Sequence, residues 1–184
     1  KHWYKYYIMR IFLTGMPGSG KSYWMQQLAE LLQYGMVDTD RFIEQREGAS
    51  IPELFTRGEA HFREKERAAL ETIIQQYPDK VVIATGGGAP CYNDNLQLMK
   101  AAGCVIYLES DIEALIANIE EQGIDRPLLA NGSRKELAEK LSELYRLRKE
   151  IYEQAHLKIE VNKASLSTFA EAINPYLSNN NLSL

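Results

Sequence analysis

The chain has 184 residues, 45% hydrophobic and 25% charged, a balance that suits one domain with a substantial core. Its 21 Lys and Arg against 25 Asp and Glu leave a net charge of −4, which excludes general attraction for nucleic acid or an anionic membrane, so an anionic ligand must be held by local charge. Two cysteines, Cys91 and Cys104, lack metal-ligand spacing, and no apolar run approaches the roughly 18 residues that span a bilayer, so the expected setting is the reduced cytoplasm.

In chain order, the aromatic stretch 1–8 lacks the apolar core of a secretion signal and reads as an extension preceding Met9. A short apolar run at 11–14 leads into Gly15-Met16-Pro17-Gly18-Ser19-Gly20-Lys21-Ser22, followed by helically spaced Trp24, Met25, Leu28, Leu31 and Leu32. This is the strand, loop and helix context that the GxxxxGK[ST] phosphate-binding pattern requires. Glycines let the backbone curl so that successive N–H groups converge on a polyphosphate at the helix N-terminus. Lys21 is then expected to reach the transferring phosphate and Ser22 to coordinate Mg²⁺. A plain glycine-rich turn would need neither the Lys-Ser pair nor these flanks.

Next come an apolar run at 35–37 ending in Asp38-Thr39-Asp40, helical segments at 41–47 and 51–57, and a long helix at 59–76. A strand at 81–84 runs into Thr85-Gly86-Gly87-Gly88-Ala89-Pro90, then a helix at 93–102 and a strand at 105–108. Ser110 and Glu113 have the spacing of a capping box for a helix carrying Ile112, Leu115, Ile116 and Ile119 and ending by Gly123. A loop with Arg126 and Pro127 precedes a long helix at 135–155, a last strand at 157–161, a closing helix at 167–177 and a fraying tail at 178–184. Strands alternating with such helices call for a parallel sheet covered on both faces, with ligands at the carboxyl ends of its strands. The loops after the first three strands should therefore share one rim.

On that rim, Asp38 and Asp40 would face opposite sides if the strand persists, with Asp38 toward the metal, through water, and Asp40 toward an attacking hydroxyl. Alternatively, Asp40 simply caps the following helix. The three glycines leave backbone N–H groups open to close approach by a ligand. Arg148 falls on the apolar stripe of its helix, among Leu144, Tyr145, Ile151 and Tyr152, and needs either an acidic partner from elsewhere or an anionic ligand. Arg63 has Glu59 four residues before it and reads as a surface pair. Arg126 lies in a flap-like loop, either closing over phosphates or simply solvated.

Taken in order and at this spacing, Gly15 to Ser22, Asp38-x-Asp40, Phe62-Arg63, Gly86-Gly87-Gly88, Arg126-Pro127-Leu128-Leu129 and Arg148 with Tyr152 resemble shikimate kinase over residues 9–177. The resemblance implies a single domain of P-loop kinase type, three-layer α/β/α with a five-stranded parallel sheet and a mobile lid at about 123–134. It also implies ATP-dependent phosphorylation of the shikimate 3-hydroxyl, on the route to chorismate and aromatic amino acids. By this resemblance, ATP is held by Gly15, Gly18, Ser19, Gly20, Lys21, Ser22, Tyr23 and Arg126, and shikimate by Asp40, Arg63, Gly86, Gly87, Gly88 and Arg148. Mg²⁺ falls to Ser22 and, through water, Asp38, while Lys21, Asp40 and Arg126 carry catalysis. A monomer whose ligands are ATP and shikimate is expected. The chain departs from the family at Tyr23, where a Thr is usual. Two alternatives are a P-loop kinase for another polyol acid such as gluconate, against which the glycine triplet and Arg148 weigh, and a nucleotide-binding switch without activity, against which intact Lys21, Ser22, Asp40 and Arg126 weigh.

Overall fold

The computed structural model describes residues 9–123 and 132–178. Its strands β1 (Arg10–Thr14), β2 (Gly35–Asp38), β3 (Val81–Ala84), β4 (Cys104–Glu109) and β5 (Leu157–Glu160) form one parallel sheet in the order β2-β3-β1-β4-β5. The helices are α1 (Lys21–Leu32), α2 (Thr39–Glu47), α3 (Ile51–Thr56), α4 (Glu59–Gln76), α5 (Asn95–Ala102), α6 (Ile112–Gln122), α7 (Arg134–Tyr152) and α8 (Leu166–Ser178), with a short 3₁₀ turn at Ala89–Cys91. Among the described residues, no helix is long and apolar enough to cross a membrane.

Strand periodicity divides the core. Ile11 and Leu13 of β1 face one side, with Trp24, Leu28, Phe169 and Ile173 from α1 and α8. Phe12 faces the other, with Leu70 and Ile73 of α4 and Leu96 and Met99 of α5. Because both faces of the sheet are covered, its strands read as continuous apolar runs. A third cluster, including Tyr107, Leu115, Ile119, Leu141 and Tyr152, seats α6 and α7 beyond the end of β4.

The order of strands creates the crevice. β1 and β3 are neighbours, yet the chain leaves β1 for β2 at one edge and leaves β3 for β4 across the sheet, which is where ligands enter open α/β sheets. Beyond β3, Thr85 continues the ladder through its N–H and its hydroxyl, both donating to the Leu13 carbonyl at 3.1 and 3.0 Å. At the opposite, amino edge, the Arg10 guanidinium donates to the carbonyls of Ile74, Tyr77 and Ala102, collecting the carboxyl ends of α4 and α5.

Two sequence expectations change. The N-cap of α6 is Asp111, whose carboxylate accepts the Ala114 N–H at 2.8 Å, while Ser110 instead donates to Asn162 at 2.9 Å. A carboxylate accepts more strongly than a hydroxyl, so the acid takes the cap. Second, α2 begins at Thr39, two residues earlier than its apolar pattern indicates, because Asp38 caps it.

Phe169 is fully buried and stacks on Trp24 at 4.4 Å, tying α8 to α1. Phe169→Ala is expected to cost about 3–5 kcal/mol, read as a lowered denaturant midpoint at unchanged slope.

Candidate active site

The loop between β1 and α1 is built to receive an anion. Gly20 is the N-cap of α1 in a left-handed conformation, no side chain caps that helix end and its first turn carries no acid, so its dipole and N–H groups face the cleft. Gly18 has φ +82°, and a Cβ there would lie 2.7 Å from the Leu115 carbonyl and 2.9 Å from Ile119, so glycine is needed for both conformation and space. Asn118 of α6 donates to the Gly18 carbonyl at 2.8 Å and fixes the loop from outside. Lys21 is buried and donates to the carbonyls of Gly15 and Met16 at 3.0 and 2.9 Å, holding the curl together. The Ser19 hydroxyl, also buried, has no hydrogen-bond partner among the described residues, a donor that a phosphate oxygen would satisfy.

The same cleft is lined by Gly18, Gly20, Lys21, Ser22, Tyr23, Asp38, Asp40, Ala84, Thr85 and Gln122. Ser22 donates to Asp38 Oδ2 at 3.0 Å, while Asp38 Oδ1 accepts the N–H groups of Asp40 and Arg41 at 3.0 and 3.2 Å. Asp38 is therefore the cap once ascribed to Asp40, and it also joins Ser22. With β2 ending at Asp38, the two carboxylates are separated by the onset of a helix and not by strand alternation. Asp40, in the first turn of α2, is left facing the cleft.

The glycines after β3 lack side chains for want of space, since none of the three has a positive φ. A Cβ at Gly86 would lie 3.0 Å from Asp40 Oδ1 and 3.1 Å from Glu66 Oε1. One at Gly87 would meet the Gly15 carbonyl, Pro17 and, at 3.3 Å, Arg148 Nη1; one at Gly88 would lie 2.6 Å from Arg63 Nη2. The triplet thus touches the phosphate loop and both arginines. Tyr152, buried on α7, donates to the Gly87 carbonyl at 2.6 Å and pins the middle glycine. The Gly86 N–H donates to the Thr39 hydroxyl at 3.1 Å.

Arg148 is 5% exposed and has no carboxylate within 4 Å among the described residues. Arg63 is equally buried and is no surface residue. Its pair with Glu59 exists at 3.0 Å, but it also binds Glu66 at 2.9 Å and lies over the Tyr92 ring at 4.1 Å. Burial opposes its charge, and Glu66 and Glu59 overcome that and raise its pKa. Glu66 is the residue that sequence reading missed. Burial pushes its carboxyl up to about 7; Arg63 and Arg148 hold it down, and Asp40 adds to the rise. Its signal was available, because Glu66 sits on the buried stripe of α4 with Phe62, Ala69, Leu70 and Ile73, as Arg148 does on α7.

Tyr23 is exposed, edge-on to Trp24 at 5.2 Å, and lines the phosphate cleft in place of a smaller hydroxyl residue. Arg126, with most of the expected lid, lies outside the described residues.

The sequence model of a family described as shikimate kinase matches residues 17–177. The chain belongs to the shikimate kinase family. A shikimate kinase of Clostridium botulinum strain 657 is 43% identical over 148 residues, 79% of this chain and 84% of that protein. The solved structure of shikimate kinase from Acinetobacter baumannii in complex with shikimate superposes with a TM-score of 0.81 at 32% identity, covering 96% of each chain. Shikimate kinase from Bacteroides thetaiotaomicron superposes at 0.84, also at 32% identity, covering 94% of this chain and 99% of that one.

In this shikimate kinase relative, Gly88→Ala is expected to displace the Arg63 guanidinium, which the rings of Phe55, Phe62 and Tyr92 leave little room to shift. The acceptor's Kd should rise about tenfold or more, roughly 1.4 kcal/mol, with nucleotide affinity unchanged. Titration of the variant with each ligand separately checks this.

Proposed function

We propose that the chain transfers the γ-phosphoryl group of ATP to the 3-hydroxyl of shikimate, giving shikimate 3-phosphate and ADP. The observation that carries this reading is Arg148, a buried guanidinium without an acidic partner among the described residues, set beside a glycine that also abuts the phosphate loop. An acceptor with a carboxylate is what such a group selects, since a planar anion can take two parallel N–H bonds from each arginine. Arg63 and Arg148 are the proposed forks. Asp40 reaches both the phosphate cleft and the Gly86 face, so a hydroxyl bonded to it is oriented toward the nucleotide. The N–H groups of Gly87 and Gly88 complete the acceptor site, with Gly86, whose N–H is held by Thr39, providing room beside them.

On the nucleotide side, Gly15, Gly18, Ser19, Gly20, Lys21, Ser22 and the backbone of Tyr23 receive the phosphates. Lys21 exchanges its loop carbonyls for phosphate oxygens as charge develops there, and Arg126 approaches from the lid. Phosphoryl transfer asks mainly for alignment and charge neutralisation, so Asp40 need not be a strong base. The Ser22–Asp38 pair presents oxygen donors of the kind Mg²⁺ accepts, and the ion retains waters and phosphate ligands besides. When bound, Mg²⁺ supplies neutralisation of the β- and γ-phosphate oxygens. The reading extends to a cytoplasmic monomer with no nucleic-acid or membrane partner. Gluconate as the acceptor is disfavoured, because the glycine triplet and the two guanidiniums leave an acceptor site suited to a compact ring acid.

A coupled assay for ADP release with Mg²⁺ and ATP should show turnover that depends on shikimate; dependence on gluconate instead would replace the acceptor. Lys21→Ala should lower kcat about a hundredfold or more, as expected for the loss of one electrostatic stabiliser of transferring charge. Near-normal turnover in well-folded protein would remove its role. For Arg148→Ala, KM for shikimate should rise roughly thirtyfold or more, in line with about 2 kcal/mol for a truncated buried charge contact, while KM for ATP stays put.

A further inference from the structure

The carboxylate of Glu66 poses a problem that the phosphoryl-transfer mechanism leaves untouched. It is 1% exposed, and only one of its oxygens is satisfied: Oε2 accepts from Arg63, whereas Oε1 is buried with no hydrogen-bond partner. That bare oxygen and Asp40 Oδ1 both lie about 3 Å from the same point above Gly86. Two ionised carboxylates this close repel one another, and among the described residues no donor reaches Glu66 Oε1. A proton on Glu66 turns Oε1 into a donor and makes the juxtaposition favourable.

The charged groups around it come from several elements. Arg63 is on its own helix, Asp40 comes from α2, Arg148 from α7, and the half-buried Cys91 thiol from the 3₁₀ turn. The neighbouring α3 packs on α4 through Leu54 and Phe55, which carry no charge. With Glu66 ionised, Arg63 and Arg148 face the carboxylates of Glu66 and Asp40, and Glu59 also pairs with Arg63. A ligand carboxylate seated on Arg63 and Arg148 adds a negative charge to this enclosed set and occupies the cations that restrain Glu66.

We infer that a carboxylate acceptor binding to Arg63 and Arg148 draws a proton onto Glu66, so that acceptor affinity is linked to proton uptake. Glu66 is thus a positioning residue: by taking up the proton it offsets the charge that the ligand brings and leaves Arg63 and Arg148 to the acceptor carboxylate. This rests on the reading of the acceptor as shikimate. The ligand's own carboxyl, with an ordinary pKa of about 4, stays ionised and contributes no protons near neutrality.

The sign follows from linkage. Uptake on binding makes the complex weaker as pH rises, beginning where free Glu66 ionises, at about 7, and continuing until Glu66 in the complex ionises as well. Within that window Kd rises by up to about tenfold per pH unit, and outside it Kd is flat. Below the window Glu66 carries its proton before the ligand arrives, and uptake vanishes.

The test is calorimetric titration of the full chain with shikimate at about pH 7.5 in buffers of different ionisation enthalpy. Wild-type protein should show an observed enthalpy that varies with the buffer, in the sense of uptake of a substantial fraction of a proton. Glu66→Gln, which keeps the shape and cannot ionise, should bind with no buffer dependence. Binding whose heat is independent of buffer in the wild type, or equal uptake in the Gln variant, overturns the inference while leaving shikimate as the ligand. Absence of any shikimate binding overturns both. Should Glu66→Gln fail to fold, the wild-type Kd measured across the window decides alone, and a Kd that stays flat through it overturns the linkage.

Discussion

The geometry of the site depends on three successive residues without side chains being wedged between charged groups. Gly86 admits the carboxylates of Asp40 and Glu66, Gly87 admits Arg148 and the phosphate loop, and Gly88 admits the Arg63 guanidinium. A methyl group at any of them would meet an atom within about 3.3 Å, so the triplet is a spacing device before it is a flexible one. Because it follows β3 directly, and β3 is hydrogen-bonded to β1, the acceptor side and the phosphate loop are parts of one rigid edge.

Burying the three charged groups Arg63, Glu66 and Arg148 is costly unless each finds a partner. Among the described residues the protein meets part of that demand through the Arg63–Glu66 pair, and leaves Arg148 and one oxygen of Glu66 unmet. An internal partner for Arg148 would have made the pocket more stable and less receptive. Leaving the compensation to a ligand converts a folding penalty into binding selectivity, because a neutral molecule of the same shape cannot supply the missing charge. The phosphate loop follows a related logic, with Lys21 resting on its own loop carbonyls and the Ser19 hydroxyl unmatched.

Much of this was legible in the sequence, and for identifiable reasons. The strands are continuous apolar runs ending in glycine or acid, and covering both faces of a parallel sheet enforces that pattern. Arg148 stood out as a charge on an apolar stripe, and the structure buries it without an acidic partner. Applied to α4, the same test would have found Glu66 and moved Arg63 from the surface to the interior. The neighbouring Glu59 concealed this, because a good helical pair is as visible in sequence as burial is invisible. Caps were harder. The Ser-x-x-Glu pattern closes at Ser50 and Ser133 but fails at Ser110, where an aspartate one residue later competes for the same N–H groups. Sequence left open whether Asp40 caps α2, since which of two nearby carboxylates takes the cap depends on where the strand stops, and Asp38 takes it.

The guanidinium of Arg10, bound to three carbonyls at the far edge of the sheet, bears on the electrostatics of the whole layer. It discharges the negative poles of two crossover helices at the edge where no anion is to be received. The positive poles of the chain's helices at the other edge then act with less cancellation from below. A molecule with a net excess of acid can in this way present a locally attractive face to a polyanion, with one half-buried cation at the far edge of the sheet serving as the counterweight.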